Sequence, residues 1–163
     1  MSCLTNNTYE MDISFLKTIK KVFSKYEDIS FVYVFGSFAR FLKSEEKIRF
    51  NDIDLAIYVS GFKHLLEGNK DSVQKKYSHS SSPLRMEMKL EKIIEDLAGI
   101  PVDVRILNYA PIAFQYNVIK EGAIVLDNDK DLRADFESLV FKKYFDYIHL
   151  RNEYLGNVRN ATV

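Results

Sequence analysis

The stretch FVYVFGSFARFLKSEEKIRFNDIDLAIYV, residues 31–59, decides the fold of this chain. It contains two apolar runs, FVYVF at 31–35 and DIDLAIYV at 52–59, and both are rich in the β-branched and aromatic residues that are typical of buried strands. Gly36 and Ser37 interrupt the pattern after the first run, and a helix is expected to begin there. The stretch therefore predicts a strand, a turn that opens a helix, and a second strand.

Two carboxylates stand at the start of the second run, where a strand would more often place Val or Ile. Successive strand side chains alternate between faces, so Asp52 and Asp54 are expected on one face with their Cα atoms roughly 6.5 to 7 Å apart. Asp103, between Val102 and Val104 in a third apolar run, adds a carboxylate if that strand lies beside the second. Three carboxylates on one face repel one another and are tolerated mainly with a divalent cation. The pattern therefore indicates a metal site.

The glycine-serine pair predicts a phosphate site next to these carboxylates. Gly36 lets the backbone approach a ligand, and a helix that begins after it would direct free N–H groups and a positive dipole end at an anion. Ser37 can donate a hydroxyl hydrogen bond, and Arg40, about one turn further on, carries a fork of donors. An anion site beside a metal site is the arrangement expected for a nucleoside triphosphate bound with Mg²⁺.

The rest of the chain predicts an α/β fold in which helices cover a mixed sheet. No structure is assigned to residues 61–83, which end in a Ser-rich tract at 78–82 before Pro83. In the last helix, Leu132, Phe136, Leu139 and Phe145 are expected to face the core. Helices are predicted at 12–26, 84–98 (ending at Gly99), 111–120 and 131–154, and further strands at 101–107 and 123–126.

Composition bounds the class of protein. A chain of 163 residues, 47% apolar, predicts one globular domain, and its 23 basic and 23 acidic residues give no field that would favour nucleic acid or an anionic membrane. No run of 18 apolar residues predicts a membrane span, and the single cysteine, Cys3, fits a reducing compartment. We therefore expect a cytoplasmic protein. His64, His79 and His149 show no metal-ligand spacing.

The motifs resemble those of one known family. GSFAR, then NDIDLAIYV, then VDVRIL are similar to the ordered motifs of the minimal nucleotidyltransferases (MNT) of the DNA polymerase β superfamily, and most similar to the MNT antitoxins encoded beside HEPN toxins. The resemblance covers about residues 31–107, and the helical part at about 129–156 matches only in general character. It implies a polymerase-β-like fold in one domain, 1–163, with about four strands and a long C-terminal helix. The spacer between Ser37 and Asp52 is longer than is common in the family.

The resemblance also implies an activity. Asp52, Asp54 and Asp103 would be the catalytic, metal-binding carboxylates of a site with two Mg²⁺ ions, while Gly36, Ser37 and Arg40 would bind ATP. The chain would then be an antitoxin that transfers AMP to a tyrosine hydroxyl of a partner HEPN-type ribonuclease toxin. Two alternatives stay open at this stage: a nucleotidyltransferase for small molecules such as aminoglycosides, and an inactive antitoxin that only binds its toxin.

Overall fold

The structure is a computed structural model that describes residues 8–44, 50–60 and 83–160. Cys3, His64, His79 and the Ser-rich tract at 78–82 lie outside these residues. The described part forms five α-helices, four strands and a short 3-10 helix at Leu107–Tyr109. The helices are α1 (Thr8–Phe23), α2 (Gly36–Lys43), α3 (Pro83–Ala98), α4 (Ile112–Glu121) and α5 (Lys130–Asn160), and the strands are β1 (Ile29–Phe35), β2 (Ile53–Val59), β3 (Val102–Ile106) and β4 (Ala123–Asp127).

The four strands form one mixed sheet in the order β3-β2-β1-β4. Strand β1 is antiparallel to both of its neighbours, β2 and β4, and β2 is parallel to β3. The parallel pair needs a crossover, and α3 lies between β2 and β3 in the chain. The predicted α/β fold, with a mixed sheet of four strands and a long C-terminal helix, is therefore confirmed.

Side chains along β2 alternate between two hydrophobic clusters, one on each face of the sheet. Ile53, Leu55 and Ile57 enter the larger core, which also takes in buried residues of α1, α2 and α3. Ala56 and Tyr58 point to the opposite face, into a second cluster that is packed by α4 and α5. Asp54 precedes Ala56 by two residues and therefore points to the same face of the sheet. This is the face that α4 and α5 partly cover.

The outer edge of the sheet is protected by glutamates of α3. Glu95, Glu91 and Glu87, four residues apart on that helix, accept hydrogen bonds from the backbone N–H groups of Val102, Val104 and Ile106 at 3.1, 3.1 and 2.8 Å. Four helical residues rise about 6 Å and two strand residues about 6.6 Å, so the two spacings nearly match. An edge strand otherwise exposes these N–H groups for pairing with another chain.

A polar cluster attaches α5 to the sheet. The Tyr33 hydroxyl donates a hydrogen bond to Glu137, and Arg133 donates to Glu137 at 2.6 Å and to Asp127 of β4 at 3.1 Å. Burial, and then the hydrogen bond to Glu137, raise the pKa of the Tyr33 phenol, which therefore stays a neutral donor. The cluster fixes the first turns of α5 against β1 and β4.

The prediction for the last helix is correct in its first two turns and wrong beyond them. Leu132 and Phe136 pack into the second cluster as expected, but Leu139 is 48% exposed and Phe145 60% exposed. The reason is length, because α5 has 31 residues and α4, the helix it packs against, only 10. The side chains at 149–155 of α5 are exposed all round. Within the described residues no helix is both long and apolar enough to span a bilayer.

Candidate active site

The turn between β1 and α2 forms one side of the candidate site. Gly36 is the first residue of α2 and has a φ of +67°, a conformation that residues with a side chain rarely adopt. The residue before it, Phe35, has no polar side chain to cap the helix, so the N–H groups of the first turn have no capping acceptor from it. Arg40 lies exposed on the same face of α2, one turn after Gly36.

The turn and the central carboxylate are in close contact. In the register of the sheet, Phe35 pairs with Asp54, which places Gly36 directly beside that carboxylate. A Cβ atom built on Gly36 would overlap the Asp54 carboxylate oxygen. Glycine at position 36 therefore has a role beyond the one predicted from the sequence, because it leaves the space that the Asp54 carboxylate occupies.

Two of the three predicted carboxylates lie side by side on adjacent strands. Asp54 of β2 pairs with Asp103 of β3 in the parallel register, so their Cα atoms are about 4.8 Å apart. Burial raises the pKa of Asp54, and the charges of Asp52 and Asp103 raise it further. The structure therefore brings Asp52 and Asp103 within electrostatic reach of Asp54.

Asp52 lies outside the strand in which the sequence placed it. Strand β2 begins at Ile53, and Asp52 is an exposed residue of the bend before it. Its carboxylate accepts a hydrogen bond from the Ser37 hydroxyl at 3.3 Å. Asp52 thus connects the start of β2 to the β1–α2 turn, and the expected alternation along one strand does not apply to it.

Asp103 has a basic partner that the sequence analysis missed. The Nε atom of Arg105 lies 3.1 Å from one Asp103 oxygen, and both side chains are about half exposed. Arg105 follows Asp103 by two residues, so both point to the same sheet face. That spacing was visible in the sequence, but it did not identify Arg105 as a residue of the site.

The donor chemistry of the site fits Mg²⁺, which prefers carboxylate oxygens. Among the described residues, however, no three Asp, Glu, His or Cys side chains converge into a ready set of metal ligands. Asp52 is held by Ser37 and Asp103 by Arg105, while Asp54 lies between them. His149 is exposed on α5, far along the chain from these carboxylates.

A cavity of about 520 Å³ lies at the outer edge of the sheet, beside Arg105, the partner of Asp103. It lies where the start of α3 approaches the segment between β3 and α4, and Arg105 is part of its lining. Its other walls are mostly apolar and aromatic, among them Leu84, Tyr109 and Phe114. The volume is within the range of small-molecule binding sites, about 300 to 1,000 Å³.

A glycine turn at a helix start, beside carboxylates on two parallel strands of a mixed sheet, is the arrangement expected for a nucleotidyltransferase. The sequence model of the family described as "Polymerase beta, Nucleotidyltransferase" matches residues 17–131, more than half of the chain. The protein belongs to this family. No curated protein sequence matches the chain.

Several solved structures with the same fold are of toxin–antitoxin pairs. A mutant of the MntA–HpeT toxin–antitoxin pair has a TM-score of 0.60 at 14% identity, over 91% of this chain and 98% of the matched one. A toxin–antitoxin structure with AMP-PNP has a TM-score of 0.56 at 15% identity, over 94% and 98%. A tri-AMPylated Shewanella oneidensis HEPN toxin in complex with its MNT antitoxin has a TM-score of 0.54 at 16% identity, over 94% and 99%. The resemblance to MNT antitoxins is confirmed at the level of the fold.

Proposed function

We propose that the chain is an antitoxin that transfers AMP from ATP to a tyrosine hydroxyl of a HEPN-type toxin and so inactivates it. One observation carries the proposal. Gly36, at the start of α2 after β1, lies beside Asp54 of β2, which pairs with Asp103 of β3, so a glycine turn at a helix start and two carboxylates meet on one sheet face. This is the arrangement that nucleotidyl transfer from a triphosphate requires.

In this proposal the triphosphate binds at the β1–α2 turn. The first N–H groups of α2 and the Ser37 hydroxyl would donate to the β- and γ-phosphates, and Arg40 would approach from the same helix face. Ser37 now donates to Asp52, so binding of ATP would exchange that hydrogen bond for one to phosphate. The turn would thereby hold the leaving pyrophosphate in place.

The carboxylates would bind Mg²⁺ and handle the acceptor proton. Asp52, Asp54 and Asp103 are the oxygen donors, and bound Mg²⁺ would neutralise charge on the attacking and leaving oxygens. The acceptor hydroxyl oxygen forms a bond to the α-phosphorus while the bond to pyrophosphate breaks. Asp103, on the side of Asp54 away from the phosphate turn, would take the hydroxyl proton directly or through water.

The choice of a toxin as partner rests on the neighbours of known structure. One of them is a HEPN toxin that carries three AMP groups and is bound to its MNT antitoxin. Because identity to that structure is 16%, the likeness shows the fold alone, and the acceptor and the partner belong to the proposal. A cytoplasmic location and a single domain over residues 1–163 are part of the same proposal.

If the neighbouring gene encodes a HEPN protein, mass spectrometry of that protein tests the proposal directly. Incubation with the chain, ATP and Mg²⁺ should add the mass of one or more AMP groups to a tyrosine. Asp54→Asn should abolish the addition, whereas Asp135→Asn, at an exposed position on α5, should not. A stable complex without any AMP on the toxin would instead support an antitoxin that acts by binding alone. Labelling of an aminoglycoside with no labelling of the toxin would favour the small-molecule activity.

A further inference from the structure

The cavity at the outer edge of the sheet is attached to the site by one residue. Arg105 lines the cavity and also pairs with the Asp103 carboxylate at 3.1 Å. A group that fills the cavity and reaches past Arg105 would therefore arrive at Asp103 and, through it, at Asp54. Arg105 therefore connects the cavity to the place where transfer would occur.

The order of strands decides on which side of the reaction the cavity lies. Across the sheet the order is β1 with the turn at Gly36, then β2 with Asp54, then β3 with Asp103. The cavity is lined by Arg105 and Ile106 of β3 and by Glu87 at its outer edge, and its Phe114 wall reaches back to Phe35 of β1. In nucleotidyl transfer the leaving pyrophosphate and the attacking hydroxyl stand on opposite sides of the α-phosphorus. If pyrophosphate leaves toward β1, the hydroxyl enters from the direction of β3.

The lining indicates what kind of acceptor fits. Leu84, Ile106, Tyr109 and Phe114 supply apolar and aromatic surface, and Arg105 is a cation at the end nearest Asp103. Glu87 also lines the cavity, but one of its carboxylate oxygens already accepts from the N–H of Ile106. Such a lining suits a planar aromatic ring whose hydroxyl points toward Arg105 and Asp103. It does not suit a polycationic sugar, which needs acidic walls.

On the basis of the proposed function, we propose that this cavity is the acceptor site and receives a tyrosine side chain of the partner protein together with its neighbouring residues. Arg105 would then be the residue that the incoming hydroxyl meets first. The volume of about 520 Å³ exceeds what one aromatic side chain fills, which leaves room for flanking residues of a protein segment.

Leu84 is the position to change, because it lines the cavity and is 61% exposed, so a substitution there should not disturb the core. Phe114 is unsuitable, since its ring also packs against Phe35. Leu97 provides a matched control. It lies on the same helix, is 56% exposed, and is about 20 Å further along the helix axis.

The first experiment compares Leu84→Arg with Leu97→Arg in the full chain. Leu84→Arg should raise KM for the HEPN toxin by about tenfold or more, as expected for a substitution at an interface anchor. It should leave the Kd for Mg·AMP-PNP within about twofold of wild type, which corresponds to a change of under about 0.5 kcal/mol in binding free energy. Leu97→Arg should alter neither quantity. A loss of AMP-PNP affinity in Leu84→Arg with an unchanged KM for the toxin would assign the cavity to the nucleoside and overturn the proposal.

The second experiment does not depend on catalysis. The photo-cross-linking residue p-benzoylphenylalanine at position 84 should capture the toxin next to its acceptor tyrosine, and the same residue at position 97 should not. Cross-linking from position 84 without AMP transfer would mean that the proposed function fails while the cavity still receives the partner. Transfer by the wild type without cross-linking from position 84 would mean that the proposed function holds but the cavity does not receive the partner. The acceptor-site proposal would then be overturned.

Discussion

The Asp54 carboxylate occupies the space that a side chain at residue 36 would need. Gly36 has a φ of +67°, and a Cβ atom on it would overlap a carboxylate oxygen of Asp54. The two residues are joined by the β1–β2 register, in which Phe35 pairs with Asp54. The glycine therefore serves the carboxylate as well as the expected triphosphate.

Alanine at position 36 should be more destabilising than its backbone conformation alone explains. Gly99 has nearly the same φ, +69°, but nothing lies within 4 Å of the place where its Cβ would stand. Gly99→Ala should therefore cost only the strain of the left-handed conformation, about 1 to 2 kcal/mol. Gly36→Ala should cost a further 1 to 3 kcal/mol or so, because the Asp54 carboxylate must move. Urea denaturation of both variants measures the difference.

Removal of the carboxylate gives the control for this comparison. In an Asp54→Ala background the extra cost of Gly36→Ala over Gly99→Ala should largely disappear, because residues in contact are coupled in such cycles. An extra cost that persists in that background would show that the turn itself, and not its contact with Asp54, makes alanine unfavourable at position 36.

The three carboxylates should destabilise the metal-free protein at neutral pH. Burial and the charges of Asp52 and Asp103 raise the pKa of Asp54. A carboxyl with a raised pKa in the folded state costs nothing below its unfolded value, near 3.9, and lowers stability once pH rises through the folded value. Asp52→Asn with Asp54→Asn should therefore raise the melting temperature at pH 7, and the gain should vanish as pH falls below about 4.

Addition of Mg²⁺ should reverse the ranking of the two proteins. We expect Mg²⁺ to raise the melting temperature of the wild type and to leave the Asp52→Asn, Asp54→Asn variant unchanged, since a ligand stabilises only the folded state that binds it. Asp135→Asn, an exposed carboxylate on α5, is the control and should behave as wild type. Equal stabilisation of wild type and double variant by Mg²⁺ would contradict the assignment of these carboxylates to the metal.

The strands and the glycine turn could be predicted because their signals are local. Alternation within IDLAIYV separates the core residues Leu55 and Ile57 from Asp54, and Gly36 marks the turn that ends β1. The sequence left the pairing of Asp54 with Asp103 conditional on β3 lying beside β2, and the parallel register of these strands meets that condition.

The features that could not be predicted depend on distances between elements. The position of Asp52 depends on where β2 begins. The N–H of Ile53 donates to the Pro101 carbonyl at 3.0 Å, so β2 begins to pair at Ile53 and Asp52 stands just before the strand. The spacing of Glu87, Glu91 and Glu95 is visible in the sequence, but their role becomes visible only when α3 lies along β3. The exposure of Phe145 depends on the point at which α4 stops covering α5.

Replacement of Glu91, the central glutamate at the sheet edge, should lower the free energy of unfolding more than replacement of its exposed neighbour Lys92. Glu91 accepts from the N–H of Val104, a fully buried residue, so Glu91→Ala leaves that N–H without its acceptor and should cost about 1 to 3 kcal/mol. Glu91→Gln keeps an acceptor oxygen and should cost less. Lys92→Ala, on the exposed face of α3, should stay within about 0.5 kcal/mol of wild type.

Hydrogen exchange adds a local measurement to this prediction. In Glu91→Ala the Val104 amide should exchange faster than in wild type by more than the change in global stability accounts for. If Glu91→Ala and Lys92→Ala have the same stability, the glutamate is not needed to cover the edge of β3.

The side chain of Asn108 extends the sheet at the end of β2 and should be sensitive to pH when replaced by aspartate. Its amide donates to the Val59 carbonyl at 3.0 Å, its carbonyl accepts from the Val59 N–H at 3.0 Å, and the residue is 5% exposed. Asn108→Asp has the same shape but, when ionised, loses the donor and places a buried charge against a carbonyl oxygen. We expect a loss of about 3 kcal/mol or more at pH 7, because a buried carboxylate that faces a carbonyl oxygen is costly. A protonated carboxyl both donates and accepts, so it restores both hydrogen bonds.

The buried acid should have a folded pKa above its unfolded value. The stability of Asn108→Asp relative to wild type should therefore recover as pH falls through the folded pKa toward the unfolded one. Denaturation of Asn108→Asp and Asn108→Ala at pH 4.5 and 7, with wild type at each pH, measures this: only the aspartate variant should recover, and a deficit independent of pH would show that Asn108 contributes by packing rather than through its two hydrogen bonds to Val59.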